Sequence, residues 1–143
     1  MISNYLADIN TDFNTDIIES LLKQANELKV PIISDEGIHF IIQIIKIHSS
    51  KKILEIGSAI GYSSILMAFY TDALITTIER DEKMTKLALN NIKNAGLEKK
   101  IDLIEADAND IDIKEYDYDL IFIDAAKASY INFFKKYSKN LKK

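Results

Sequence analysis

The sequence predicts an α/β fold with a parallel, doubly wound sheet. Two observations predict the fold and a third says where a ligand would bind. Short apolar runs alternate with longer amphipathic stretches, the pattern of strands joined by right-handed helical crossovers. One run, Ile53 to Ile56, is too short for a helix and ends at Gly57, as a buried parallel strand does. Carboxylates stand at or near the strand ends: Glu55, Glu79, Asp107 and Asp124. Sheets of this kind bind ligands outside the C-terminal strand ends, where strand order reverses.

A chain of 143 residues predicts a single domain over 1–143, with residues 1–48 as a helical cap within it. The absence of cysteine excludes disulfides, zinc–thiolate sites and a cysteine nucleophile. The N-terminus lacks the basic and apolar regions of a signal peptide, and no apolar run reaches membrane-spanning length. A cytoplasmic protein is expected. A net charge of −4 argues against a broad nucleic-acid surface. The lysines that crowd the C-terminal end, Lys135, Lys136, Lys139, Lys142 and Lys143, read as a solvated helix face.

In chain order, residues 15–29 carry Ile17, Ile18, Leu21, Leu22, Ala25 and Leu28 on one stripe and predict an amphipathic helix. Pro31 ends it. Ser34 caps a second helix, with Asp35 and Glu36 in its first turn. That helix is apolar almost all round, so it is expected to be buried or to cover a partner. Its two histidines, His39 and His48, lie away from the strand ends and read as structural or surface residues. Gly57 turns the chain and Gly61 opens a helix carrying Ile65, Leu66, Met67 and Ala68. Leu74 to Ile78 predicts a second strand ending at Glu79, and Asp81 to Ala95 a helix stopped by Gly96. Ile101 to Glu105 and Tyr118 to Ile123 predict the third and fourth strands. Ala128 to Leu141 predicts a last helix, with Tyr130, Phe133, Phe134 and Tyr137 at helical spacing.

The turn's spacing narrows the ligand. A dinucleotide fingerprint requires G-x-G-x-x-G. Here Ala59 and Tyr62 stand at the second and third glycine positions, leaving Glu55-x-Gly57-x-x-x-Gly61. A carboxylate before the turn repels a pyrophosphate and favours an ammonium group. S-adenosylmethionine carries an α-amino group and a sulfonium, and no phosphate. Glu79 lies about twenty residues beyond the turn, where an acidic side chain takes a ribose diol. Asp107 and Ala108 would stand beside the adenine, and Tyr62 near the cofactor. Four converging carboxylates repel one another, which a cationic ligand would offset. Asp124 suits a hard divalent cation, which would lower the pKa of a bound hydroxyl. A nearby cation and partial burial favour a neutral amine three residues on, so Lys127 is expected to serve as general base.

Together the segments ILEIGSAIGYSSILMA, TTIERDEKMTKLALNNI, IEADA and YDLIFIDAAKASYINFFKKY resemble the cation-dependent O-methyltransferases of the catechol and caffeoyl-CoA type. The likeness runs from about Pro31 to Leu141 and is most marked to the bacterial branch that contains the tRNA 5-hydroxyuridine methyltransferases. It implies a class I methyltransferase sheet in the order 3-2-1-4. It implies S-adenosylmethionine beside Ile33, Glu55, Gly57, Gly61, Ser63, Glu79, Asp107, Ala108 and Asp124. It also implies a magnesium-type ion on Asp124 and a base at Lys127. Family members continue for further strands and complete the metal site there, so this chain is expected to be C-terminally truncated and inactive by itself. The methyl acceptor would be 5-hydroxyuridine in tRNA, or a small catechol-like phenol. A non-catalytic binding module is the competing reading, and the glycine spacing disfavours an NAD-dependent oxidoreductase. The fourth strand would be an open edge, so a homodimer or other self-association is expected.

Overall fold

The computed structural model describes residues 15–114 and 117–142. Helix α1 spans Asp16–Leu28; Thr15 caps it by accepting from the Ile18 N–H. Helix α2 spans Asp35–Ile47 and is capped by Ser34, as its sequence requires. Strand β1 is Lys52–Ile56, helix α3 Tyr62–Tyr70, strand β2 Leu74–Glu79 and helix α4 Glu82–Asn94. Strands β3, Ile101–Glu105, and β4, Leu120–Ile123, follow, and helix α5 is Tyr130–Tyr137.

All pairings are parallel and the order is β3-β2-β1-β4. The chain thus winds outward through β2 and β3, then crosses to the other side of β1. The switch point lies between β1 and β4, at their C-terminal ends. Alternation along the strands divides the core into two layers. Ile53, Ile75, Ile101 and Phe122 face the layer that holds α1, α2, α3 and α4. Leu54, Ile56, Ile78 and Ile123 face Phe133 and Tyr137 of α5. Asp119 fixes the register of β4 from its N-terminal end. Its carboxylate accepts from the backbone N–H groups of Lys51 and Lys52, 68 and 67 residues away.

Three expectations need correction. The fourth strand starts at Leu120, because Tyr118 forms an isolated bridge with Leu141 instead. The last helix is broken into a 3-10 turn Lys127–Ser129, α5, and a second 3-10 turn Ser138–Asn140. The bridge explains its end: Asn140 and Lys142 turn their backbone to Tyr118, at 3.1 and 2.8 Å. Helix α2 is not buried all round, since Phe40 and Ile47 are 65% and 76% exposed. His39 is buried with Nδ1 2.8 Å from the Asp35 carbonyl, and His48 is the C-terminal cap of α2. His39 is thus buried and His48 lies at the surface, within the structural-or-surface reading. Much of the predicted cap, residues 1–14, lies outside the described residues.

Candidate functional site

The turn after β1 is a closed piece of backbone. Gly57 has φ +94°, and a Cβ there would stand 2.3 Å from the Asp124 carbonyl oxygen. No side chain fits, because the obstacle is backbone. The close approach at Gly57 is therefore to the end of β4. Gly57 N–H donates to Ile78 O at 2.8 Å, and Asp124 N–H to Ile56 O at 2.9 Å. Gly61, at φ +84°, caps α3 without a side-chain hydrogen bond and packs towards Ala88 of α4. It shapes the turn but does not line the cleft.

The cleft lies outside the C-terminal ends of β1, β2 and β4, in two adjoining compartments. The smaller, about 190 Å3, is bounded by Ile78, Glu79, Asp107, Ala108 and Phe133. The larger, about 480 Å3, is bounded by Ile33, Ser58, Tyr62, Ser63, Lys127 and Tyr130. Gly57, Glu79, Asp124, Ala125 and Ala126 border both. Ile33, Gly57, Ser63, Glu79, Asp107, Ala108, Asp124 and Lys127 are thus brought together as expected from the sequence.

Glu55 is the exception. It is fully buried beneath α3, where the hydroxyls of Ser63 and Ser64 donate to it, with Thr77 Oγ1 at 2.6 Å. Its side chain lies on the Ile53 face of the strand, opposite Thr77 in register, and does not border the cleft. The expectation that it meets the ligand's ammonium group is corrected: it ties the first turn of α3 to β1 and β2. Burial raises its pKa, opposed by the three hydroxyls. Ser63 borders the cleft but directs its hydroxyl down to Glu55.

The remaining carboxylates differ in what they already hold. Glu79 accepts from the backbone N–H groups of Ala59, Arg80 and Asp81 at 2.8, 2.9 and 2.9 Å. The Ala59 bond matters because that residue has φ +47°, a left-handed conformation costly for a non-glycine. Asp107 accepts from the Asn109 backbone and side chain at 2.8 and 2.9 Å, and Arg80 approaches at 3.5 Å. The Asn109 backbone bond is the main reason its carboxyl lies below the usual range. Glu79 and Asp107 thus have partners within the chain, while the Asp124 charge still adds to the rise in the Glu55 pKa. Asp124 alone of the three has no side-chain hydrogen bond or ion pair among the described residues. Although its side chain keeps contact with solvent, desolvation at the cleft floor raises its pKa. Lys127 is exposed on its 3-10 turn, not partly buried as expected.

Sequence reasoning missed Gly37 and Asn91. A Cβ at Gly37 would stand 2.9 Å from Ile33, so this glycine lets Ile33 settle over α2 at the cleft border. Asn91 Nδ2 donates to Ile60 O at 2.9 Å and to Gln24 at 2.7 Å, tying the turn to α4 and α1. A polar residue on the buried stripe of α4 was the available signal. Among the described residues no three His, Cys, Asp or Glu side chains group as metal ligands. No helix among them is long and apolar enough to cross a membrane.

Comparison with known proteins places this geometry. The family model described as O-methyltransferase matches residues 8–143. A caffeoyl-CoA O-methyltransferase of Populus kitakamiensis is 32% identical over 123 residues, covering 80% of this chain and 51% of that protein. A flavonoid 3',5'-methyltransferase of Vitis vinifera is 36% identical over 115 residues, covering 74% and 48%. The O-methyltransferase from Bacillus cereus, solved in complex with SAH, superposes with a TM-score of 0.84 at 25% identity. That match covers 99% of this chain and 68% of that one. The chain spans about half the length of the curated relatives it matches. Its fold is that of the class I methyltransferases, with sheet order 3-2-1-4.

Proposed function

We propose, from the premise that this chain belongs to the O-methyltransferase family, that it is the cofactor-binding part of an S-adenosylmethionine-dependent O-methyltransferase. The observation that carries the reading is the cleft at the β1/β4 switch point, where Glu79, Asp107, Ala108 and Asp124 border one continuous space. The cofactor fits this donor and acceptor set. Glu79 is placed for the ribose hydroxyls, and its oxygens keep lone pairs beyond those used by the turn. Ala108 and Phe133 offer apolar walls to the adenine, with Asp107 at its edge. Ile33, Gly57 and the Asp124 carboxylate border the space left for the amino-acid end. When bound, S-adenosylmethionine supplies an electrophilic methyl group on its sulfonium. With an acidic ring hydroxyl as acceptor, Lys127 Nζ in its neutral amine form would take the hydroxyl proton, the oxygen would receive the methyl, and S-adenosylhomocysteine would leave. A hard cation takes six or more oxygens, and among the described residues no three His, Cys, Asp or Glu side chains group to hold one. No step is derived through an ion.

The likeness of the TIERDE and FIDAAK segments supports 5-hydroxyuridine in tRNA as acceptor. The flavonoid and caffeoyl-CoA relatives support a small phenol as the second reading. Methyl-transfer assays on both acceptors distinguish them. Calorimetry on this chain tests the cofactor: S-adenosylhomocysteine is expected to bind and NAD not to. Tighter binding of NAD would sink the methyltransferase reading. We also propose that the 143-residue chain self-associates through β4, which among the described residues pairs only with β1. A monomer by light scattering at micromolar concentration would refute this.

A further inference from the structure

We infer that Tyr137 is a positioning residue for the adenine side of the cleft, acting through the segment 106–113. The inference rests on reading the Asp107–Ala108 compartment as the adenine site. Tyr137 lies at the end of α5, 1% exposed; it does not itself border the cleft, but its ring pairs with that of Phe133, which does, at 6.4 Å between centroids. Its hydroxyl donates to the Ala108 carbonyl at 2.6 Å, with the Ile111 carbonyl as a second acceptor at 3.2 Å. The residues around it continue the tie. Lys136 Nζ donates to Asn109 O at 2.6 Å, and Asn140 Nδ2 donates to Ile113 O at 2.8 Å.

Four carbonyls of one irregular segment are thus held from one helix and the turn that follows it. The segment has no strand or helix of its own to satisfy those groups, and a buried carbonyl without a donor is destabilising. Desolvation, with Asp112 and Asp107 nearby, pushes the hydroxyl pKa up to about 12. It therefore stays a neutral donor at ordinary pH. The same helix follows directly on Asp124 and Lys127, so α5 joins the adenine wall to the segment that carries the proposed base. The continuous stretch from Lys127 to Asn140 thus sets two parts of the cleft that are separate in sequence.

The test compares Tyr137→Phe with the wild-type 143-residue chain by amide hydrogen exchange and by calorimetry with S-adenosylhomocysteine and with adenosine. Phenylalanine keeps the ring and removes only the donor. Exchange is expected to quicken on the order of tenfold across 106–111 while β1 and β2 stay protected. Both ligands are expected to bind roughly three- to tenfold more weakly. Unchanged affinity, or exchange that quickens equally in β1 and β2, overturns the inference, since a merely structural role would act on the whole domain. If the wild type binds neither ligand, the methyltransferase reading falls and exchange alone judges the tie. Should Tyr137→Phe fail to fold, Lys136→Gln removes the exposed Asn109 bond and carries the same two readouts, with smaller changes expected.

Discussion

On the β1–β2 side of the cleft, Glu55 and Glu79 have all four carboxylate oxygens engaged by groups of the chain itself. On the β4 side, Asp124 and Lys127 have no such side-chain partner among the described residues. Burial follows the same division. Four of the five residues of β1 are buried, whereas all four of β4 are half-buried. The first wall is pre-organised and its polar groups shape backbone. The second presents polar groups for what arrives from outside. The two walls thus differ in how far the chain itself already satisfies their polar groups.

The largest effect is expected where the two walls touch. Gly57→Ala puts a Cβ against the Asp124 carbonyl and strains φ, so it should cost about 3 kcal/mol or more by urea denaturation. A loss near zero would mean that the walls are free to part. Next comes Glu79→Ala. It removes the ribose acceptor and the support of Ala59 together, and should weaken S-adenosylhomocysteine binding by about 1–3 kcal/mol. An unchanged dissociation constant would show that Glu79 serves the turn alone. The smallest effect is expected from Glu55 and depends on pH. Its folded pKa is raised above the ordinary value of 4.5, so in the window between the two the native state holds more protons. Stability must then fall as pH rises through that window, by at most about 1.4 kcal/mol per pH unit for one proton. Glu55→Gln removes this fall. Relative to wild type the variant should gain in urea melts as pH rises above the ordinary carboxylate range. A parallel pH dependence of the two would show that Glu55 is not the group responsible.

The strands and their carboxylate ends were legible because short apolar runs bounded by glycine and carboxylate leave few alternatives, whereas the order 3-2-1-4 came only with the family resemblance. Period-two alternation also held the answer for Glu55, since Ile53 and Glu55 must share a face beneath α3. Proximity to the turn outweighed it in the sequence reading. Other features left no such trace. Bonds from Tyr137 and Asn140 to distant carbonyls join side chain to backbone, and backbone carries no residue identity to read. The close contact of Gly57 with Asp124 is likewise a meeting of two backbones. A glycine motif shows that space is needed there, but not what fills it.

The Asp119 cap on Lys51 and Lys52 bears on the order in which the molecule assembles. Strands β1, β2 and β3 can pair in sequence as short loops close. Strand β4 must return across nearly seventy residues to reach β1, a closure with a larger entropic cost and a slower search. The cleft exists only after that return, because Asp124 is one of its borders. Newly made chains should therefore pass through a stage with a three-stranded sheet and no binding site. A ligand that bridges β2 and β4 would shift the equilibrium toward the docked state, acting as a clasp on the last step of folding.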